Sequence, residues 1–184
     1  MDQGHERRTR TILAVDDSRT NLNVLAHRLG HLGYLVVLSD CGAEALDLIS
    51  GRGFDLVLLD RTMPELSGLH VLQEIRGSRD TADLPVIMVT AEGDSAAIVE
   101  ALHAGADDYV AKPFAFEVLA ARIERTLARA ARLEGLKRSN LALDARIAAR
   151  AIELGEARSE LAATRADYGR LAREVERLSG TSAA

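Results

Sequence analysis

The chain has 184 residues, 47% of them hydrophobic and 28% charged, with a formal net charge of −5, room for one well-cored domain and an extension. Aromatic residues make up only 3% and Trp is absent, so a base-stacking platform for single-stranded nucleic acid has little to build on. The single Cys41 can close no internal disulfide, and no long apolar run or signal-like leader occurs, which predicts a cytoplasmic protein with no membrane insertion.

In chain order, Ile12 to Val15 is an apolar run that meets Asp16 and Asp17, predicting a first strand with two carboxylates at its carboxyl end. Ser18 can cap the helix that follows, with Leu22, Leu25 and Leu29 on one face up to the Gly30 to Gly33 exit. Residues 34–40, YLVVLSD, read as a second strand, and AEALDLIS as a short amphipathic helix closed by Gly51. Leu56 to Leu59 is a continuous aliphatic run ending at Asp60, with Pro64 and Gly68 soon after. Such a run is a strand buried on both faces, as a central parallel strand must be. Asp60 is then either a carboxylate delivered to a functional crevice or a solvated residue opening a turn. Leu69, Leu72 and Ile75 recur at helical spacing, residues 84–91 form a fourth strand reaching Thr90, and residues 96–104 a helix stopped by Gly105. Tyr109 to Ala111 is a short fifth strand that ends at Lys112 and Pro113.

Strands alternating with helices predict an α/β fold, a doubly wound five-stranded parallel sheet in the flavodoxin-like order 2-1-3-4-5. That order sets Asp16, Asp17 and Asp60 at one crevice, with Thr90 and Lys112 arriving from strands four and five. Three crowded carboxylates repel one another, and a hard divalent cation with oxygen ligands relieves them. Mg²⁺ suits, because it keeps waters and takes one or two carboxylates, leaving a position for a phosphoryl oxygen. A lysine and a hydroxyl opposite the metal complete a clamp for phosphoryl transfer.

These motifs, DD at 16 and 17, LLDRTMPELSG around Asp60, VTA around Thr90 and DYVAKPF up to Phe114, resemble the receiver domain of two-component response regulators. The resemblance implies that Asp60 is the phospho-acceptor, Asp17 a direct Mg²⁺ ligand and Asp16 a ligand through water. It further implies a backbone carbonyl ligand at Thr62, Thr90 as the switch hydroxyl, Lys112 as the phosphoryl counter-ion and Tyr109 as the aromatic that turns inward on activation. The Lys112–Pro113 bond is expected to be cis, and the small Ala91 leaves the phosphoryl group room. The phosphodonor would be a histidine kinase or a histidine phosphotransfer protein, and the protein would be no enzyme beyond handling its own aspartyl phosphate.

The rest of the chain has a different composition. Residues 1–115 hold 10 basic and 18 acidic side chains, whereas residues 116–184 hold 13 and 10. From Phe116 there is no Pro, and Leu133, Asn140, Ile147, Leu154, Leu161, Tyr168 and Val175 recur every seventh position. Leu136, Leu143, Leu171 and Leu178 follow three positions later, with Arg150, Ala157 and Thr164 filling the weaker places of that second row. This a/d pattern predicts a long α-helical coiled coil, with a lone solvated helix as the other reading. Glu153 with Arg158 and Glu160 with Arg165 are g to e pairs that favour a parallel homodimer. The basic residues of 122–138 are interleaved with Glu, which argues for a solvated face and against direct nucleic-acid binding.

The expected organisation is a flexible leader at 1–10, a receiver at 11–125, a coiled-coil signalling helix at 126–179 and a disordered end at 180–184. A rival is the regulatory N-terminal fragment of a longer enzyme, such as a diguanylate cyclase or a phosphatase; another is a metal-dependent α/β phosphatase with an Asp nucleophile. His5, His27, His31, His70 and His103 are read as structural or surface residues without metal-ligand spacing, Asp107 and Asp108 as solvated turn residues, and Cys41 as a small hydrophobe near a helix start.

Overall fold

The computed structural model describes residues 8–91 and 95–180, with side chains to residue 177. The leader expected at 1–10 falls mostly outside the described residues, as do residues 181–184. Among the described residues ten elements follow one another: β1 (Thr11–Val15), α1 (Arg19–His31), β2 (Leu35–Ser39), α2 (Gly42–Gly51), β3 (Leu56–Asp60), α3 (Gly68–Gly77), β4 (Val86–Ala91), α4 (Ser95–His103), β5 (Asp108–Lys112) and α5 (Phe116–Gly180). The strands form one parallel sheet in the order β2-β1-β3-β4-β5, the predicted doubly wound fold. No helix among the described residues is long and apolar enough to cross a membrane.

Side chains alternate across the sheet, as the two-residue period of a strand requires. Leu13, Val15, Val57, Leu59, Val86 and Met88 face α2, α3 and α4 and meet Ala45, Ile49, Val71, Leu72, Ile75 and Ala101. Ile12, Leu56, Leu58, Ile87 and Val110 face the other way, against Leu29 of α1 and Leu119, Ile123 and Leu127 of α5. Every residue of β3 is buried, which explains an aliphatic run with no polar alternation.

Local chemistry sets where the helices begin and end. Ser18 caps α1 by accepting from the Asn21 N–H, and Ser67 caps α3 by accepting from the His70 N–H. Cys41 occupies the same place before α2, where its Sγ accepts from the Glu44 N–H at 3.5 Å. Gly33, at φ 85°, turns the chain out of α1 while Tyr34 N–H reaches back to the Leu29 carbonyl at 3.2 Å.

Gly68 is required for a different reason. A Cβ there would lie 2.0 Å from the carbonyl oxygen of Asp60, a backbone atom that no rotamer change can move. Gly68→Ala should therefore push the start of α3 away from the end of β3, destabilising the fold by about 3 kcal/mol. A denaturant titration will measure this, and a change below about 0.5 kcal/mol would contradict the close approach.

The chain divides into two compact units after Arg132. In the first, α5 buries Leu119, Ile123, Thr126 and Leu127 at the three- and four-residue spacing of one helix face. In the second, Leu133, Leu136, Leu143, Ile147, Leu154, Leu161, Tyr168, Leu171 and Val175 are each at least half exposed. Asn140 is exposed, and the side chain of Leu178 lies outside the described residues.

Candidate functional site

Parallel strands end on the same edge of the sheet, so β1 and β3 bring their terminal carboxylates together. Oxygens of Asp16, Asp17 and Asp60 lie within 4.8 Å of one another. Asp16 and Asp60 are buried and Asp17 is exposed. Lys112, from the end of β5, donates to Asp16 Oδ2 at 2.7 Å and to Asp60 Oδ1 at 3.1 Å. The remaining capacity of Asp16 is met by the Ser18 N–H at 2.9 Å and by Asn21, whose Nδ2 donates to both carboxylate oxygens at 3.1 and 3.2 Å.

Burial pushes the Asp60 carboxyl above its ordinary range; Lys112 pulls it back by charge and hydrogen bond, while the charges of Asp16 and Asp17 add to the rise. For Lys112, burial alone would lower the pKa, but the hydrogen bonds and charges of Asp16 and Asp60 leave it raised. The ammonium therefore stays charged between two carboxylates. Thr90, at the end of β4, is 1% exposed, and its buried Oγ1 has no hydrogen-bond partner among the described residues. An unpaired buried hydroxyl costs about 1–3 kcal/mol.

The donor set fits a divalent cation. It consists of carboxylate oxygens from three residues, and the like-charge repulsion that raises Asp60 is what a hard cation removes. Thr62, expected to supply a carbonyl, lies exposed in the loop after β3. In the same loop Glu65 holds a left-handed backbone, φ 64°. Tyr109 is half-buried on β5, with the Arg122 guanidinium 5.5 Å from its ring centroid. The Lys112–Pro113 peptide is cis.

Two expectations are corrected. Asp108 is no solvated turn residue: it is 5% exposed and accepts from Arg122 at 2.6 Å and from Arg125 at 3.2 Å. Asp107 accepts from Arg76 and from the Val86 N–H, both at 2.9 Å, so it ties α3 to the start of β4. The expectation that no histidines have ligand spacing is also corrected: His27 and His31 are four residues apart on α1, with their Nε2 atoms 3.3 Å apart.

Sequence reasoning missed Asn21, Arg122 and Arg125. The available signal was the three-residue spacing of the two arginines, which places both on one helix face. Replacing Asp108 by Ala strands the half-buried Arg122 and should cost about 2 kcal/mol, less than a fully buried pair because Arg125 is mostly exposed. Thermal unfolding of the variant measures this, and an unshifted midpoint would show that the pairing adds nothing.

The family described as "Response regulator receiver domain" matches residues 12–124. Response regulator MprA of Mycobacterium sp. (strain KMS) is 45% identical over 124 residues, which is 67% of this chain and 53% of that protein. The chain thus spans about half the length of the curated relative it matches. Among solved structures, the Vibrio cholerae chemotaxis protein CheY4 superposes with a TM-score of 0.61 at 30% identity, covering 64% of this chain and 98% of that one. Response regulator TrrA of Thermotoga maritima, solved in complex with Mg²⁺-BeF, gives a TM-score of 0.58 at 34% identity, covering 64% and 99%. These likenesses do not favour the cyclase or phosphatase readings.

Proposed function

Because this chain belongs to the family of response regulator receiver domains, we propose that Asp60 accepts a phosphoryl group from a phosphohistidine. The donor is a histidine kinase or a histidine phosphotransfer protein, and the change passes into α5 and a parallel, dimeric coiled coil. The observation that carries this reading is the ammonium of Lys112 bridging Asp16 and Asp60, on a sheet edge where the buried hydroxyl of Thr90 has no partner among the described residues. On this reading the receiver is residues 11–125 and the signalling helix residues 126–179.

Mg²⁺ held by Asp16, Asp17, Asp60 and the Thr62 carbonyl would supply charge neutralisation for an incoming dianion. A carboxylate oxygen of Asp60 attacks phosphorus, the P–N bond to the donor imidazole breaks, and the imidazole leaves with the electron pair. Lys112 shifts from its two-carboxylate bridge to the phosphoryl oxygens. Thr90 donates its hydroxyl to the same group, ending its unpaired state and drawing the end of β4 inward.

The vacated space beside Thr90 is where Tyr109 turns. That movement takes its ring from beneath Arg122, the residue that also holds Asp108. Arg122 thus links the switch on β5 to the buried face of α5. The Arg61 to Glu100 pair, 3.1 Å, ties the residue after Asp60 to α4 in the same way.

Thr90→Ala should leave phosphoryl uptake within about threefold of wild type, since the hydroxyl neither attacks nor holds the metal. It should abolish the change in the surroundings of Tyr109. A fluorine-labelled Tyr109 followed by NMR with Mg²⁺ and beryllofluoride reads the coupling; a full response in the variant would sink the switch assignment.

A further inference from the structure

We propose that His27 and His31 form a chelate for a transition-metal dication, with Zn²⁺ as the fitting ion, on the exposed face of α1 and apart from the carboxylate crevice. The pair lies one turn apart on one helix face, the spacing at which two imidazoles can share an ion. Their Nε2 atoms are 3.3 Å apart, with ring centroids at 4.5 Å and planes at 75°. A tetrahedral zinc with bonds of about 2.05 Å sets two of its nitrogens about 3.3 Å apart. The pair already spans that distance, and a turn of the rings, which now meet edge to face, would aim both nitrogens at one ion.

The surroundings agree. Both rings are exposed, so water can complete the coordination. The pair lies on the last turns of α1, where the carbonyl end of the helix favours positive charge. Arg28, next in sequence to His27, lies 5.1 Å from the Phe116 ring centroid, so its guanidinium is engaged with that ring. Leu22 and Leu29, buried beneath the helix, hold the backbone that presents the two rings, so binding orders little beyond side chains. Imidazole selects zinc, copper and nickel, whereas the carboxylate crevice selects magnesium. The two sites therefore need not compete.

Among the described residues, three other places could take zinc: Asp40, Cys41 and Glu44, whose ligand atoms lie within 4.8 Å of one another; the carboxylate crevice; and the His70–Glu74 pair at 3.7 Å. The test is a calorimetric titration of the full, chelator-treated chain with Zn²⁺ in excess Mg²⁺, which occupies the crevice. It compares wild type with His27→Ala, His31→Ala, His70→Ala and Cys41→Ser.

Wild type, His70→Ala and Cys41→Ser should share a binding step that both His27→Ala and His31→Ala lose. The same two variants should lose a zinc-induced rise in melting temperature while still accepting phosphoryl. An unchanged isotherm in both α1 variants overturns the proposal, as does loss in Cys41→Ser or His70→Ala instead. Loss in only one α1 variant shows single-histidine binding and overturns the chelate.

Discussion

Asp60→Asn should leave the chain unable to take up a phosphoryl group from a small-molecule donor or a kinase, with labelling at background, because the amide has no free carboxylate to attack phosphorus. The same variant makes a prediction about stability. The folded-state pKa of Asp60 is raised, chiefly by burial, so between the unfolded and folded values the native state binds the proton more strongly. Ionisation of Asp60 therefore costs the fold stability as pH rises through that window, and the cost is complete above it. Without Mg²⁺ at neutral pH, Asp60→Asn should be more stable than wild type, since Lys112 keeps Asp16 as partner. The advantage disappears below the ordinary carboxylate range. Adding Mg²⁺ at about a hundred times its dissociation constant should stabilise wild type by about 2.7 kcal/mol and the variant by less. Persistent labelling of Asp60→Asn would place the acceptor elsewhere, and an equal Mg²⁺ effect in both proteins would remove Asp60 from the ligand set.

The proposed dimer should give way, on deletion of residues 133–184, to a monomeric receiver that still accepts phosphoryl. The physical reason lies in the exposed seam of Leu133, Leu136, Leu143, Ile147, Leu154, Leu161, Tyr168, Leu171 and Val175. Covering each such side chain is worth about 1.5–3 kcal/mol, and a helix of this length gains little stability from propensity alone. Within the chain, Glu134 pairs with Arg138 and Glu153 with Arg150, exposed contacts worth a few tenths of a kcal/mol each. They cannot replace an apolar partner. Asn140, in an otherwise apolar row, would pair with its symmetry mate in a parallel dimer, so Asn140→Leu should tighten association while admitting other registers or higher oligomers. Sedimentation of the full chain and both variants reads the outcome. A full-length monomer at micromolar concentration would sink the dimer, and cross-links joining the start of one tail to the end of another would overturn its parallel sense.

Much of the fold was legible because buried parallel strands demand aliphatic runs. Leu56 to Leu59 is buried on both faces, and the run predicted this without any partner being known. Asp16, Asp17, Asp60 and Lys112 could be grouped from the sequence for a related reason: in a parallel sheet every strand ends on one edge, so strand order alone decides which terminal residues meet. Their meeting is observed, and the roles assigned to them are what the phosphorylation experiments test. Asp108 misled because an acidic doublet before a short strand has the composition of a turn. It is buried because α5 returns across the sheet and brings Arg122 and Arg125 to it.

The sequence by itself determined the order of strands and helices, the carboxyl-edge cluster and the heptad seam, because each follows from a local period or from strand order. Tertiary structure alone decided what each polar side chain faces. Whether Asn21 turns to Asp16, Arg122 lies over Tyr109 or Arg76 reaches Asp107 depends on rotamers and on the packing of helices against strands many residues away. Burial makes such pairing compulsory, since an unpaired polar group in the interior costs as much as a lost hydrogen bond, but the choice of partner is made by packing. The unpartnered hydroxyl of Thr90 is likewise invisible in a sequence, because being unpaired is a property of the surroundings.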